Sequence, residues 1–187
     1  MKRHGPWKIT SSEVKYKNPW IEVVEDKVIR PDGTLGIYGV VKFTASSGIS
    51  VLAIDREGFV YLTREFKYAS AKEHLEVVSG GVNVGEAPLE AAKRELNEEL
   101  GIQAAEWIDV GVVEPFTGIF EHKVHLFIAR NLVFGDHKRE GTEATMKMVK
   151  MKLGAAIEQV MQSKITHGQS CVLILKAKEY LKREKKQ

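Results

Sequence analysis

The sequence predicts a mixed α/β (α+β) architecture: a mixed sheet with helices on its faces, behind a small β-rich N-terminal segment. Three observations lead there. The chain has 187 residues, 21.0 kDa and 43% hydrophobic residues, a size that buries about 70% of its extended-chain surface without disulfides. Apolar runs of strand length, separated by turn residues, fill most of the first 82 positions. One strongly periodic helix interrupts them and two more close the chain, with no regular βαβ alternation. The single cysteine, Cys171, cannot pair internally, which suits a reducing, cytoplasmic setting. No eighteen-residue apolar span exists, and no apolar run follows the charges of Lys2 and Arg3 to make a signal peptide. Collagen-like, membrane and disordered classes are excluded.

The elements follow from local chemistry. Residues 20–24 form a strand-like run, the Arg-Pro-Asp-Gly of residues 30–33 is a turn, and residues 35–43 are rich in Tyr and Val. The Ser-Ser-Gly of residues 46–48 reads as a joint between an N-terminal β arm, residues 1–45, and the rest of the chain. Apolar runs at 49–54 and 59–66 flank Asp-Arg-Glu-Gly at 55–58, a hairpin signal. A further strand at 73–78 is expected to break at Ser79, Gly80 and Gly81. Residues 88–100 are a helix, with Pro88 in its first turn, a stripe of Leu89, Ala92, Leu96 and Leu100, and Gly101 as its stop. Strands are expected at 108–113, 123–129 and 145–153, a polar loop at 135–142, and helices at 155–162 and 169–183.

Charge points away from nucleic acid. The net charge is +3, yet residues 176–187 hold six basic and two acidic side chains; the remainder carries 22 basic and 23 acidic groups. The basic balance therefore belongs to a solvated terminal helix, with no basic, aromatic-studded face.

The chemistry concentrates on the helix at 88–100. Glu95, Glu98 and Glu99 stand at i, i+3 and i+4, within an arc of about 100°. An acidic triplet on a helix is commonly a solvated face. Against that reading, the three carboxylates repel one another and sit in the C-terminal half, where the macrodipole disfavours negative charge. Both penalties are relieved by a cation, and hard carboxylate oxygens suit Mg2+ or Mn2+ bridged to substrate phosphates. Arg94, four residues before Glu98, can pair with a carboxylate and hold it in place. Gly80 and Gly81 allow close backbone approach.

Gly80, Glu86 and the run Arg94-Glu95-Leu96-x-Glu98-Glu99-x-Gly101-Ile102 together resemble the Nudix box at every fixed position. The resemblance implies a Nudix αβα sandwich over residues 46–187 and hydrolysis of a nucleoside diphosphate linked to another group. It implies metal ligation by Glu95 and Glu99, with Glu98 close by, and by backbone at Ser79 and Gly80; Glu86 would support the metal site. The flanks are similar to the subgroup that hydrolyses ADP-ribose and related nucleoside-diphosphate sugars: Arg64-Glu-Phe-Lys-Tyr68, Leu75-Glu76, Asn18-Pro-Trp20, residues 30–33, and the Ile-Thr-His-Gly-Gln-Ser of 165–170. Val78-Ser79 replaces the Pro-Ala usual in that subgroup, and Thr117 stands where a proline is common. Other sugars, such as mannose on GDP, therefore stay open.

From the subgroup resemblance, the N-terminal arm would cross to a partner subunit in a homodimer. Trp20, with Tyr16, would stack on the nucleobase. Arg64 and Lys67 would neutralise phosphate, and Arg30, Glu76 and Glu121 would complete the substrate contacts. Glu140 or Glu143 in the polar loop would take the proton of the attacking water, with Glu98 and Arg94 also in the catalytic group. The alternative function is a Nudix-fold sensor that binds a nucleotide sugar without cleaving it; the intact carboxylate set favours the enzyme. His122 and His125 lie in a strand-like region and need not share a face, and Cys171 falls on an apolar helix stripe.

Overall fold

Strand pairing in the N-terminal part is set by three tight turns. In the computed structural model, which describes residues 1–136 and 145–184, β1 (Lys2–His4), β2 (Trp7–Lys17), β3 (Ile21–Ile29) and β4 (Leu35–Phe43) form an antiparallel meander. The turn at 30–34 closes with Arg30 N–H donating to the Thr34 carbonyl at 2.8 Å. A short strand from much later in the chain, β10 (Phe120–Glu121), adds parallel to β4 and completes a five-stranded sheet. Phe43, Phe116 and Phe120 pack edge to face at this seam.

The second sheet is mixed, as expected. It contains β5 (Ser47–Ile54), β6 (Phe59–Lys67), β7 (Lys72–Glu76), β8 (Val78–Val82), β9 (Ile102–Val113), β11 (Val124–Phe134) and β12 (Lys147–Lys152). The order is β12-β6-β5-β11-β9, with β7 on β6 and β8 on β5; β5 and β11 run parallel. Every residue of β5 is buried, because helices cover both faces of the sheet. On one side α1 (Pro88–Leu100) seats Ala91, Ala92, Leu96 and Leu100 on Ile49, Val51 and Val78. On the other, α2 (Leu153–Met161) and α3 (Gly168–Glu184) pack Ala156, Leu173, Ile174 and Ala177 against Leu52, Leu62, Leu126 and Ile128. The two layers and the sheet make the expected αβα sandwich.

Several expectations are corrected. Ser47 and Gly48 lie inside β5 rather than forming a joint; the bend falls at 44–46. The β5–β6 hairpin holds for only two pairs, Ala53 with Tyr61 and Ile54 with Val60, after which the strands diverge. The β7–β8 run fills the fork, β7 on β6 and β8 on β5. The break in that run is at Val77, not at the glycines: Gly80 and Gly81 pair in register with Ile49 and Gly48. At the fork, the buried Val77 N–H donates to Ser170 Oγ at 3.0 Å, so a backbone donor without a ladder partner is satisfied by a side chain. β9 and β11 are longer than expected because their outer halves pair with each other, Ile102 with Phe134, although Val133 and Phe134 stay exposed to solvent. No described helix is long and apolar enough to cross a membrane.

Candidate active site

The helix α1 begins without a side-chain cap but with Pro88 in its first turn. It ends at Gly101, whose φ of 65° is the left-handed conformation that costs a side-chain-bearing residue about 1 kcal/mol. Between these punctuation marks the apolar stripe fixes the rotation of the helix, and with it the direction of the three glutamates. They do not share one environment. Glu98 is partly exposed and Glu95 mostly covered, whereas Glu99 is 3% exposed, a carboxylate inside the fold.

Arg94 ties the site together. Its Nε and Nη2 donate to the two oxygens of Glu86 at 3.0 and 3.1 Å, a bidentate pair. Nη1 donates to Glu95 Oε1 at 2.7 Å and Glu98 Oε2 at 3.1 Å, and Nη2 also donates to the Gly81 carbonyl at 2.9 Å. One guanidinium thus joins the loop, the end of β8 and the helix. The Arg94 hydrogen bonds, helped by the Asn83 N–H, hold the Glu86 carboxyl below its ordinary value against the opposing effect of burial. The hydrogen bond from Arg94 to Glu98 is the i,i+4 pair expected from the sequence.

The glycine at position 80 has a direct reason. The space that a β-carbon there would fill is occupied by the carboxyl group of Glu95. Gly80→Ala is expected to push that carboxylate off the β8 backbone and lower kcat by about 10- to 100-fold, with the thermal midpoint nearly unchanged. Steady-state assays beside a melting curve check this.

A second polar group gathers around Lys67 and Glu76. Lys67 Nζ is 2.5 Å from Glu65 Oε2 and 3.9 Å from Glu76 Oε2. Burial pulls the Lys67 ammonium down, but Glu65, Glu76 and Glu99 together outweigh it and push it up. Glu76 itself is 8% exposed, and its oxygens lie 3.6 Å from His74 Nδ1 and 3.6 Å from His167 Nδ1.

A strand–glycine–loop–helix frame with an arginine gripping its own carboxylates is what the family comparison decides. A model of the NUDIX domain matches residues 45–152. The chain belongs to the Nudix family. A model described as the nucleoside diphosphate sugar hydrolase N-terminal domain matches residues 7–41. The Nudix chain is 25% identical to the ADP-ribose pyrophosphatase of Bacillus subtilis, over 95% of this chain and 97% of that protein. It is 25% identical to the ADP-ribose pyrophosphatase of Mycobacterium tuberculosis, over 84% of this chain and 76% of that protein. A crystal structure of an ADP compounds hydrolase superposes with a TM-score of 0.82 over 98% of both chains at 18% identity, a likeness of fold.

Within this Nudix chain the other expected residues scatter. Ser79 is half-buried on β8, its hydroxyl 2.9 Å from that of Ser50. Trp20 is 72% exposed and Tyr16 is exposed, both at the β2–β3 turn beside Thr44, whose N–H donates to the Trp20 carbonyl at 2.9 Å. Arg64 and Lys67, expected to act together, are three positions apart on β6 and so fall on opposite faces. The guanidinium of Arg30 donates to the Leu35 carbonyl and the Thr34 hydroxyl of its own turn. The nine residues of β3 separate it from Trp20 by about 30 Å. Glu121 faces Lys42 on the N-terminal sheet at 3.6 Å. Glu140 and Glu143 lie outside the described residues.

Two residues escaped the sequence reading. His74 and His167 both approach Glu76, yet one precedes the box and the other opens the last helix. The motif at 165–170 marked the segment without giving His167 a role.

Divalent-metal dependence is general in the Nudix family, and the donors here fit such an ion. Glu95 and Glu99 supply hard carboxylate oxygens on one helix, and the close seat of Glu95 on Gly80 brings carboxylate and backbone oxygens into one neighbourhood. Among the described residues no three acidic, histidine or cysteine side chains already converge at ligand spacing, because Glu95 and Glu98 are turned toward Arg94.

Proposed function

We propose that this Nudix enzyme hydrolyses the pyrophosphate bond of nucleoside-diphosphate sugars, ADP-ribose or a similar sugar such as GDP-mannose, to a nucleoside monophosphate and a sugar phosphate. The observation that carries the reading is the Glu95 carboxylate seated on Gly80 and braced by Arg94, which holds an acidic group against the β8 backbone. The matched N-terminal model and the named activities of the relatives support the substrate class.

Glu95, Glu99 and Glu98, with backbone oxygen at Ser79 and Gly80, would hold Mg2+, for which Mn2+ could substitute. Such an ion supplies charge neutralisation at the phosphate oxygens and orients water. Arg94 keeps Glu95 and Glu98 from springing apart before the ion arrives. A water oxygen attacks one phosphorus, its proton passes to Glu140 or Glu143, and the bridging P–O bond breaks with the electron pair leaving on the other phosphate. Lys67 and Arg64, from their separate faces, would meet phosphate charge, and Glu76 would help fix the substrate. Trp20 and Tyr16 would stack on the base, their exposure leaving the ring faces open. A homodimer formed through the N-terminal sheet would bring such exposed groups to a neighbouring subunit's site. Glu121, and Arg30 from its distant turn, would reach substrate only in that arrangement.

The test is direct. Purified protein incubated with ADP-ribose and Mg2+ is expected to release AMP and ribose phosphate, and chelation is expected to stop the release. A panel of ADP-, GDP- and UDP-sugars ranks the substrates. Binding without product on any member would establish the sensor instead.

A further inference from the structure

We infer that Glu65, on β6, is a specificity-determining residue for this hydrolysis. Bound to Lys67 and standing with Glu76, it keeps the fork of the sheet net negative. The fork then accepts an uncharged, hydroxyl-bearing sugar at the far end of the diphosphate and turns an acidic one away. The inference deepens the pyrophosphatase reading above and rests on it.

The three side chains share the side of the sheet that carries the box helix. Tyr61 packs in one cluster with Ala91, Ala92 and Leu96 of α1. Alternation along β6 puts Thr63, Glu65 and Lys67 on the face of Tyr61. Glu76 stands directly opposite Thr63 in the β6–β7 register, and so takes that face too. Immediately after Glu76 the chain crosses from β6 to β5 and runs on to Gly80, where the Glu95 carboxyl is seated. A short stretch of β8 is all that separates this group from the box glycine.

Glu65 holds the lysine by direct contact. Lys67 Nζ donates to Glu65 Oε2 at 2.5 Å, a charge-assisted hydrogen bond, and stands 3.9 Å from Glu76 Oε2. The side chains of Glu65 and Glu76 are only 11% and 10% exposed. One ammonium thus answers two well-covered carboxylates. Glu65 takes one of its three donors, so Lys67 can still donate to a phosphate oxygen but has no full charge to offer. Glu76, meanwhile, keeps unspent acceptors. Among the described residues no donor reaches its carboxylate at hydrogen-bonding distance: Lys67 is 3.9 Å away, and His74 Nδ1 and His167 Nδ1 are each 3.6 Å away. Both imidazoles are engaged elsewhere, His74 Nε2 with Ser70 Oγ at 2.7 Å and His167 Nδ1 with Ser170 Oγ at 2.9 Å. A polar side chain so covered normally has its acceptors filled, and the hydroxyls of a sugar are donors of the right kind. An ionised carboxylate only accepts; it takes a sugar hydroxyl and repels a sugar acid, with little screening in so covered a place. Without the Glu65 charge, Lys67 would balance Glu76, and the acid would meet a neutral pair.

The experiment uses two competitors of the best substrate in the nucleotide-sugar panel, with Mg2+ present. They are the glucose and the glucuronate esters of the nucleoside diphosphate that ranks best, which differ only in a hydroxymethyl group against a carboxylate. The unmodified chain is expected to bind the glucuronate ester about tenfold more weakly than the glucose ester, read as the ratio of inhibition constants. Glu65→Gln, which keeps the size of the side chain, is expected to narrow that ratio to within about threefold. Lys67→Gln is expected to widen it, because two carboxylates then face the sugar unopposed. A merely structural role would not move the two variants in opposite directions, and melting curves report the fold of each. A glucose ester that competes no better than the glucuronate ester in the unmodified chain would overturn the inference, as would an unchanged ratio in folded Glu65→Gln. An unmodified chain inactive on the whole panel would overturn the pyrophosphatase reading together with this inference; an active one with an unchanged ratio in Glu65→Gln would overturn the inference alone.

Discussion

Replacing Glu99 by glutamine is expected to lower kcat about a thousandfold, equivalent to about 4 kcal/mol of transition-state stabilisation, while the protein stays folded. The substitution keeps size and hydrogen-bonding capacity but removes a charge that is almost wholly enclosed. A carboxylate in that position needs opposing charge, and Lys67 supplies part of it; a bound dication would supply the rest. The amide needs neither, so stability is expected to hold or rise, as when a buried charge is neutralised. Stopped assays with saturating Mg2+ and a thermal melt separate the two effects. Wild-type turnover in Glu99→Gln would remove Glu99 from the metal ligands.

Arg94→Ala is expected to affect both fold and activity. It strips a partner from Glu86, Glu95 and Glu98 at once and frees the Gly81 carbonyl. Exposed ion pairs contribute little singly, but this one is bidentate, networked and two-thirds covered. A loss of about 2 kcal/mol is expected, read as a fall of about 4 to 8 °C in the thermal midpoint. A 10- to 100-fold loss of kcat should accompany it because the box carboxylates splay. Arg94→Lys should recover little, since an ammonium with three donors cannot span the five acceptor oxygens that the guanidinium reaches. Acid sensitivity should change too. The Glu86 carboxyl is held below its ordinary value of 4.5 in the folded protein. Its stabilisation is therefore complete above that value and lost as pH falls through the lower folded one. In the alanine variant this part of the acid response should disappear.

The box helix could be read from sequence because everything that defines it is local: a proline, a 3.6-residue apolar period and a glycine stop within fourteen positions. The i,i+4 pair of Arg94 and Glu98 is local as well. What was misread depends on partners distant along the chain. A Gly-Gly pair normally ends a strand, and nothing nearby reveals that Gly80 continues one because Glu95 needs its missing β-carbon. The fork at Val77 is marked only by Ser170, 93 residues away. Periodicity placed Glu99 with its two neighbours on one acidic arc, but the helix sits deep enough to enclose it.

The bond from Val77 to Ser170 also orders events during synthesis. The strand carrying Glu76 and Gly80 leaves the ribosome long before the helix that finishes it. Until Ser170 arrives, the Val77 amide lacks its partner, and the sheet face under α2 and α3 is bare. A nascent chain halted before residue 165 should therefore remain an unfinished scaffold, whatever box residues it already contains, prone to sticking through that bare face. Productive folding waits for α3, and chaperone occupancy should fall only once that helix has docked.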